Sequence, residues 1–214
     1  LGIKGYEVLK FIIEKNYVSY IKIVIIGQDK NIDNDYSLEI KDLCLSEKLN
    51  YKIRDDLEKN IANAELSIAI SWKWLIDKNN FLIVLHDSLL PKYRGNLPLV
   101  TQLLNGEKEI GVTSFLANEN VDEGDIIYSS KISIEYPITI FEAIKKIQIC
   151  YLDCIKNIFY QLENNMVFPQ IPQNHKEATY SLWRDEDDYF IDWNWPIHKI
   201  SRFVDSVGFP YRGA

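Results

Sequence analysis

Apolar residues along this chain fall into two rhythms. Short runs without polar alternation, "IKIVIIG" (Ile21 to Gly27), "LSIAIS" (Leu66 to Ser71) and "FLIVLH" (Phe81 to His86), predict strands covered on both faces. Helical spacing separates them: "YSLEIKDLCLSEKL" (Tyr36 to Leu49) repeats Leu38, Leu45 and Leu49 alongside Ile40, Leu43 and Cys44. "PLVTQLLNG" (Pro98 to Gly106) predicts a helix with proline in its first turn and glycine past its end. "GVTSFLA" and "DIIYSSKISI" predict a strand pair, and Ile138 to Asn164 a long amphipathic helix. Strand alternating with helix predicts an α/β fold, a Rossmann-like, mostly parallel sheet with flanking helices. Proline and aromatic residues become denser from Pro169, and a last helix is expected near Ile197 to Val207. The expected organisation is therefore one principal domain over 1–165 and an appended connecting segment with a final helix over 166–214, any C-terminal domain being absent or truncated.

Composition narrows this picture. With 214 residues, 47% of them hydrophobic, the chain can bury a substantial core. A net charge of -7 provides no global basic field, which argues against nucleic acid as a partner. No apolar stretch approaches the ~20 residues of a membrane span and no secretory leader is visible, so a cytoplasmic protein without membrane contact is expected. Cys44, Cys150 and Cys154 fall in helical segments and read as buried free thiols rather than metal or redox ligands.

The third strand run ends in a histidine. In open α/β sheets reacting groups gather at the carboxyl ends of strands, and His86 occupies that place. "SLLP" returns two leucines to the core and "KYRG" turns the chain, holding His86 and Ser88 on a rigid rim. A histidine satisfied by local backbone is the plainer reading. Downstream, "NENVDEGDII" (Asn118 to Ile127) collects Glu119, Asp122, Glu123 and Asp125 around a glycine turn, from which one carboxylate could reach His86.

"HDSLLPKYRG", followed by "NGEKEIGVTSFLANENVDEGDII", resembles the 10-formyltetrahydrofolate-dependent formyltransferases, whose pattern is His-x-Ser-Leu-Leu-Pro, a basic-glycine turn, Gly-Val-Thr and Asp-x-Gly-x-Ile. "ATYSLWRDEDDYFIDW" and "PYRGA" resemble the connecting segment of the methionyl-tRNA and nucleotide-sugar branch. The resemblance implies that 1–165 is the catalytic domain, with His86 as acid/base group and Asp122 as the carboxylate that orients it. It implies 10-formyltetrahydrofolate as formyl donor, with Trp72, Lys73, Trp74, Leu75, Ile76 and the backbone near Val121 lining a pterin slot. No metal is implied.

One position departs from the pattern. The family's third catalytic residue, an asparagine two positions before the histidine, is Val84 here. Residues two apart on a strand share a face, so methyl groups should stand beside His86 where an amide donor is expected. Asn96, Ser71 or a backbone amide could substitute. The implied activity is N-formylation of a nucleotide-linked amino sugar, as in bacterial surface-glycan synthesis. Methionyl-tRNA formylation, or a folate- or nucleotide-binding module without catalysis, are the alternatives. Because tRNA needs an extended basic surface and this chain offers only Lys92/Arg94 and Arg202/Arg212, the sugar acceptor is favoured. Two phosphates could be held by Lys4, in a "GIKG" turn before the first helix, and by Arg184, with Asn96 nearby. A homodimer is compatible with all of this.

Overall fold

The structure is a computed structural model and describes residues 1–30, 32–56, 64–74, 76, 81–211 and 213–214. The α/β reading holds. Parallel pairing joins β1 (Val24–Ile26) to β2 (Tyr51–Ile53), and β3 (Leu66–Ile70) to β4 (Phe81–His86). The sheet continues from β4 into β6 (Glu109–Leu116) and β7 (Ile126–Ser133), both antiparallel, as a hairpin pair requires. A short parallel pair, β5 (Arg94–Gly95) with β8 (Tyr180–Ser181), lies apart from it. Between β1 and β3 opens an apolar cavity of about 560 Å³, lined from one side by Tyr20 to Ile25 and from the other by Ala64 to Ile70.

Among the described residues five α-helices clothe the strands: α1 (Gly2–Glu14), α2 (Ser37–Ser46), α3 (Pro98–Asn105), α4 (Ile140–Glu163) and α5 (Ile197–Val207). The α4 start is fixed by a capping box in which Thr139 and Glu142 exchange side-chain-to-backbone hydrogen bonds. Gly106 closes α3 in the left-handed conformation. The main core joins Ile83 and Leu85 of β4, Leu99 and Leu103 of α3, and Ile147, Ile155 and Ile158 of α4. Phe203 and Val207 of α5 enter the same core, so the segment beyond residue 165 shares its packing with the principal domain. A smaller cluster unites Leu9, Ile26, Ile40, Cys44 and Leu49.

The strand expected over Ile21 to Gly27 is confined to Val24–Ile26, with a 3-10 turn over Tyr17–Tyr20 before it. The "GIKG" stretch is not a turn preceding the first helix but the first turn of α1 itself, whose Val8, Leu9, Phe11 and Ile12 are buried. Among the described residues no helix is long and apolar enough to cross a membrane.

All three cysteines are free and buried. Burial pushes the Cys44 thiol up to about 11 and the Cys154 thiol up to about 12, and raises Cys150. Thiolate is the reactive form, so a thiol alkylating reagent at pH 8 should leave the folded protein unlabelled and modify all three after guanidinium unfolding, as read by intact mass.

Candidate functional site

Alternation along β4 divides its residues between two environments. Ile83 and Leu85 face the core, while Val84 and His86 lie on the opposite face. Register sets the neighbours there: Val84 is flanked by Ala69 of β3 and Phe115 of β6, and His86 by Thr113. The chain beyond His86 is pinned to itself. Ser88 N–H donates to His86 O at 2.8 Å, Ser88 Oγ to Lys92 O at 2.6 Å, and Thr113 Oγ1 to Ser88 O at 2.7 Å. The Ser88 hydroxyl is a strut of the rim and not a free nucleophile.

This rim brings Tyr93 O to 2.8 Å from His86 Nε2. A carbonyl oxygen can only accept, so Nε2 carries a hydrogen, and in the neutral ring the lone pair is on Nδ1. Nδ1 faces Asp122 Oδ2 at 3.7 Å. That is long for a direct hydrogen bond, yet short enough for one amine or water to bond both atoms. The local-backbone reading of His86 is thus realised on Nε2, and Nδ1 is left facing Asp122. Asp122 adopts φ 55, unusual for a residue with a side chain, and its Oδ2 accepts from Gly95 N–H at 2.8 Å.

Asp87, next to His86, is enclosed rather than solvated. Its carboxylate accepts from Lys4 Nζ and from the Tyr151 hydroxyl, and its carbonyl from Gln102 Nε2 at 2.6 Å. Burial first, then the Asp87 charge, raise the Tyr151 phenol well above its ordinary range. Lys4, expected as a phosphate ligand, is thus committed to an internal ion pair that ties α1 and α4 to the end of β4.

Of the residues expected to line a pterin slot, Trp72, Lys73 and Trp74 gather near the end of β1. The Trp72 and Trp74 rings meet edge to face at 5.0 Å, Trp74 packs over Gly27, and the Arg54 guanidinium lies 4.5 Å from the Trp74 ring. Lys73 Nζ pairs with Asp29 at 2.7 Å. Trp72 and Ile76 line the cavity between β1 and β3, whereas Val121 is 69% exposed on the loop that carries Asp122. Leu75 lies outside the described residues, as does Arg212. Trp72 Nε1 is buried without a hydrogen-bond partner among the described residues, a donor suited to a ring bearing acceptor atoms, such as a pterin.

Of the other substrate candidates, Asn96 is half-buried, with its backbone N–H bonded to Ser181 O. Arg184 is half-buried and its Nε has no partner among the described residues. Arg94, which the sequence offered as a phosphate-facing cation, is only 1% exposed and belongs to the interior. Arg202 donates to Leu104 O at 3.1 Å, at the end of α3. Sequence reasoning did not single out Gln173, and it read Arg94 only as a surface cation. Their partners are distant in the chain, and neither residue type signals burial.

Comparison with known proteins supplies a family. Residues 55–148 match the family model described as formyl transferase. A sugar 3N-formyl transferase, WlaRD, solved in the presence of dTDP and 5-N-formyl-THF, superposes with a TM-score of 0.72 at 24% identity, covering 95% of this chain and 75% of that one. Methionyl-tRNA formyltransferase from Clostridium thermocellum superposes with a TM-score of 0.64 at 21% identity, covering 89% and 85%. HypX from Aquifex aeolicus in complex with tetrahydrofolic acid gives 0.66 at 17% identity, covering 89% of this chain and 35% of that one, so the present chain spans about a third of HypX. The chain thus takes the fold of these formyltransferases, and its residues 55–148 carry the match to the formyl transferase family model.

Proposed function

We propose that the chain moves a formyl group from 10-formyltetrahydrofolate to the amine of a nucleotide-linked amino sugar. The observation that carries this reading is the His86–Asp122 pair, with Nε2 anchored on Tyr93 O and Nδ1 open towards Asp122 Oδ2 at 3.7 Å. Bound 10-formyltetrahydrofolate supplies the activated formyl group. Formyl transfer then needs a proton removed from the attacking amine and delivered to the departing nitrogen. His86 Nδ1 takes that proton, and the Asp122 carboxylate stabilises the imidazolium that results. Trp72, through its unpartnered indole N–H, is the side chain we assign to the pterin.

Charge distribution supports the sugar acceptor. Arg94 is buried, Arg202 is engaged at the end of α3, and the chain carries a net charge of -7, leaving little with which to grip a tRNA backbone. With Lys4 internal, Asn96 and Arg184 are the side chains proposed to meet the acceptor. Likeness to a sugar formyl transferase crystallised with dTDP points the same way.

A single-turnover assay with 10-formyltetrahydrofolate and a panel of nucleotide-linked amino sugars tests the reading. Wild type should formylate at least one of them, and faster than charged initiator tRNA. His86→Ala should lower turnover by about a hundred- to ten-thousandfold while leaving folate affinity nearly unchanged. Absence of turnover by wild type, with folate still bound, would establish the non-catalytic binding module that Val84 favours.

Val84 generates a second expectation. Its directly opposed neighbours Ala69 and Phe115 are apolar, so an amide introduced there would meet no polar side chain straight across the sheet. Val84→Asn should therefore destabilise the protein by ~1 to 3 kcal/mol without raising turnover. Thermal unfolding together with the same transfer assay checks both parts. A large rate gain at unchanged folate affinity would mean that the native chain lacks an oxyanion donor which the asparagine restores.

A further inference from the structure

The geometry points to Arg94 and Gln173 as positioning residues that hold Asp122 against His86 through a buried latch, an inference that rests on the proposed function of the pair. Arg94 Nε and Nη2 both donate to Gln173 Oε1, at 3.1 and 2.8 Å. The other end of the same amide, Gln173 Nε2, donates to Asp122 O at 2.9 Å and to Gly124 O at 2.7 Å. Every hydrogen-bonding direction of the amide plane is thus assigned. Reversing it would set its N–H groups against the guanidinium and its oxygen against two carbonyls. Arg94 fixes which way Gln173 faces, and Gln173 fixes the backbone on both sides of Glu123.

That backbone would not hold its shape unaided. Asp122 sits at φ 55, a region that residues with a Cβ avoid, and a Cβ on Gly124 would lie 1.5 Å from Leu116 O. The latch has two further attachments to the same turn. Arg94 Nη1 bonds Glu123 Oε1 at 2.9 Å, and Gly95, adjacent to Arg94, donates its N–H to Asp122 Oδ2 at 2.8 Å. Arg94 is held in its turn by the residue that precedes β8, since its backbone N–H donates to Thr179 O and that of Tyr93 to Thr179 Oγ1, each at 2.9 Å. Tyr93 is the residue whose carbonyl anchors His86 Nε2. One rigid assembly therefore sets the positions of both members of the pair.

A positioning role differs from ordinary loop packing because the carboxylate must stay where an amine or water can bond it and Nδ1 together. Relaxation of Asp122 towards common φ values would swing Oδ2 away, and misplacement by about 1 Å can cost on the order of a hundredfold in rate. Gln173 lies beyond residue 165, so the appended segment contributes to the site rather than only leading away from it.

Gln173→Glu tests the latch. It keeps the shape and an acceptor for Arg94 but removes both donors to the Asp122 turn. Hydrogen exchange gives a readout independent of catalysis: the Gly95 amide should exchange at least about tenfold faster, with the β6 amides unchanged. In the transfer assay kcat should fall about ten- to a hundredfold, with the KM for the formyl donor within about twofold. In an Asp122→Asn background the same substitution should cost less than about twofold, because the carboxylate it positions is already gone. Unchanged protection of the Gly95 amide, or a full additional loss in the double variant, overturns the inference. Should Gln173→Glu fail to fold, Gln173→Met is read by the same two measurements. A wild-type chain inactive with every acceptor refutes the proposed function, and the exchange arm still decides whether the latch exists.

Discussion

A guanidinium cannot be left unpaired away from water, and Arg94 is the largest almost wholly buried side chain among the described residues. Its requirement for acceptors organises the surrounding chain. Gln173 arrives from beyond α4, Glu123 from the β6–β7 turn, and the Arg94 backbone pairs with β8. Three stretches remote in sequence are drawn together by one charge. Removing a single partner of such a group costs more than the pair itself contributes, since an uncompensated charge remains. The arrangement is therefore held cooperatively, and it is the arrangement in which His86 and Asp122 meet.

A second, part-buried charge pair stands at the end of β4. Lys4 and Tyr151 converge on the Asp87 carboxylate, tying the start of α1 and the middle of α4 to the residue after His86. Buried ion pairs are weak contributors to net stability, because desolvation offsets most of the attraction. Their geometric demand is nevertheless strict. The base of the rim is thus set from the helix side by Asp87 and from the loop side by Arg94. His86 sits between them, supported on backbone contacts from Ser88 and Tyr93.

How much of this the sequence disclosed follows from the range of each interaction. Phe81 to His86, Pro98 with its closing Gly106, and the helix after Thr139 were legible because run length, proline placement and capping chemistry are local signals. The β6–β7 pair was legible for the same reason. Tyr51–Ile53 was not, since three residues carry no periodicity, and the glycines of "GIKG" concealed a helix whose evidence lies in Val8, Leu9, Phe11 and Ile12. His86 and Asp122 could be paired from motif resemblance. The 83-residue separation of Lys4 from Asp87 and the 79-residue separation of Arg94 from Gln173 left no trace in spacing. Burial of a cation is a tertiary property, so Arg94 read as a surface charge.

The apolar patch beside His86 ties these themes together. With Val84, Ala69 and Phe115 side by side, the strand positions directly across from Val84 supply no hydrogen-bond donor, and the backbone amides of Gly95 and Asn96 are engaged by Asp122 and Ser181. Such a surface lowers the local dielectric, and the electrostatic effect of each remaining charge grows accordingly. Low dielectric strengthens a well-placed charge and penalises a misplaced one. With valine at position 84, the effect of the Asp122 carboxylate on His86 therefore depends more heavily on where that carboxylate stands. That dependence gives a physical reason for holding Asp122 in an unfavourable backbone conformation, with one glutamine bonded to the carbonyls on either side of Glu123 and one arginine holding the glutamine.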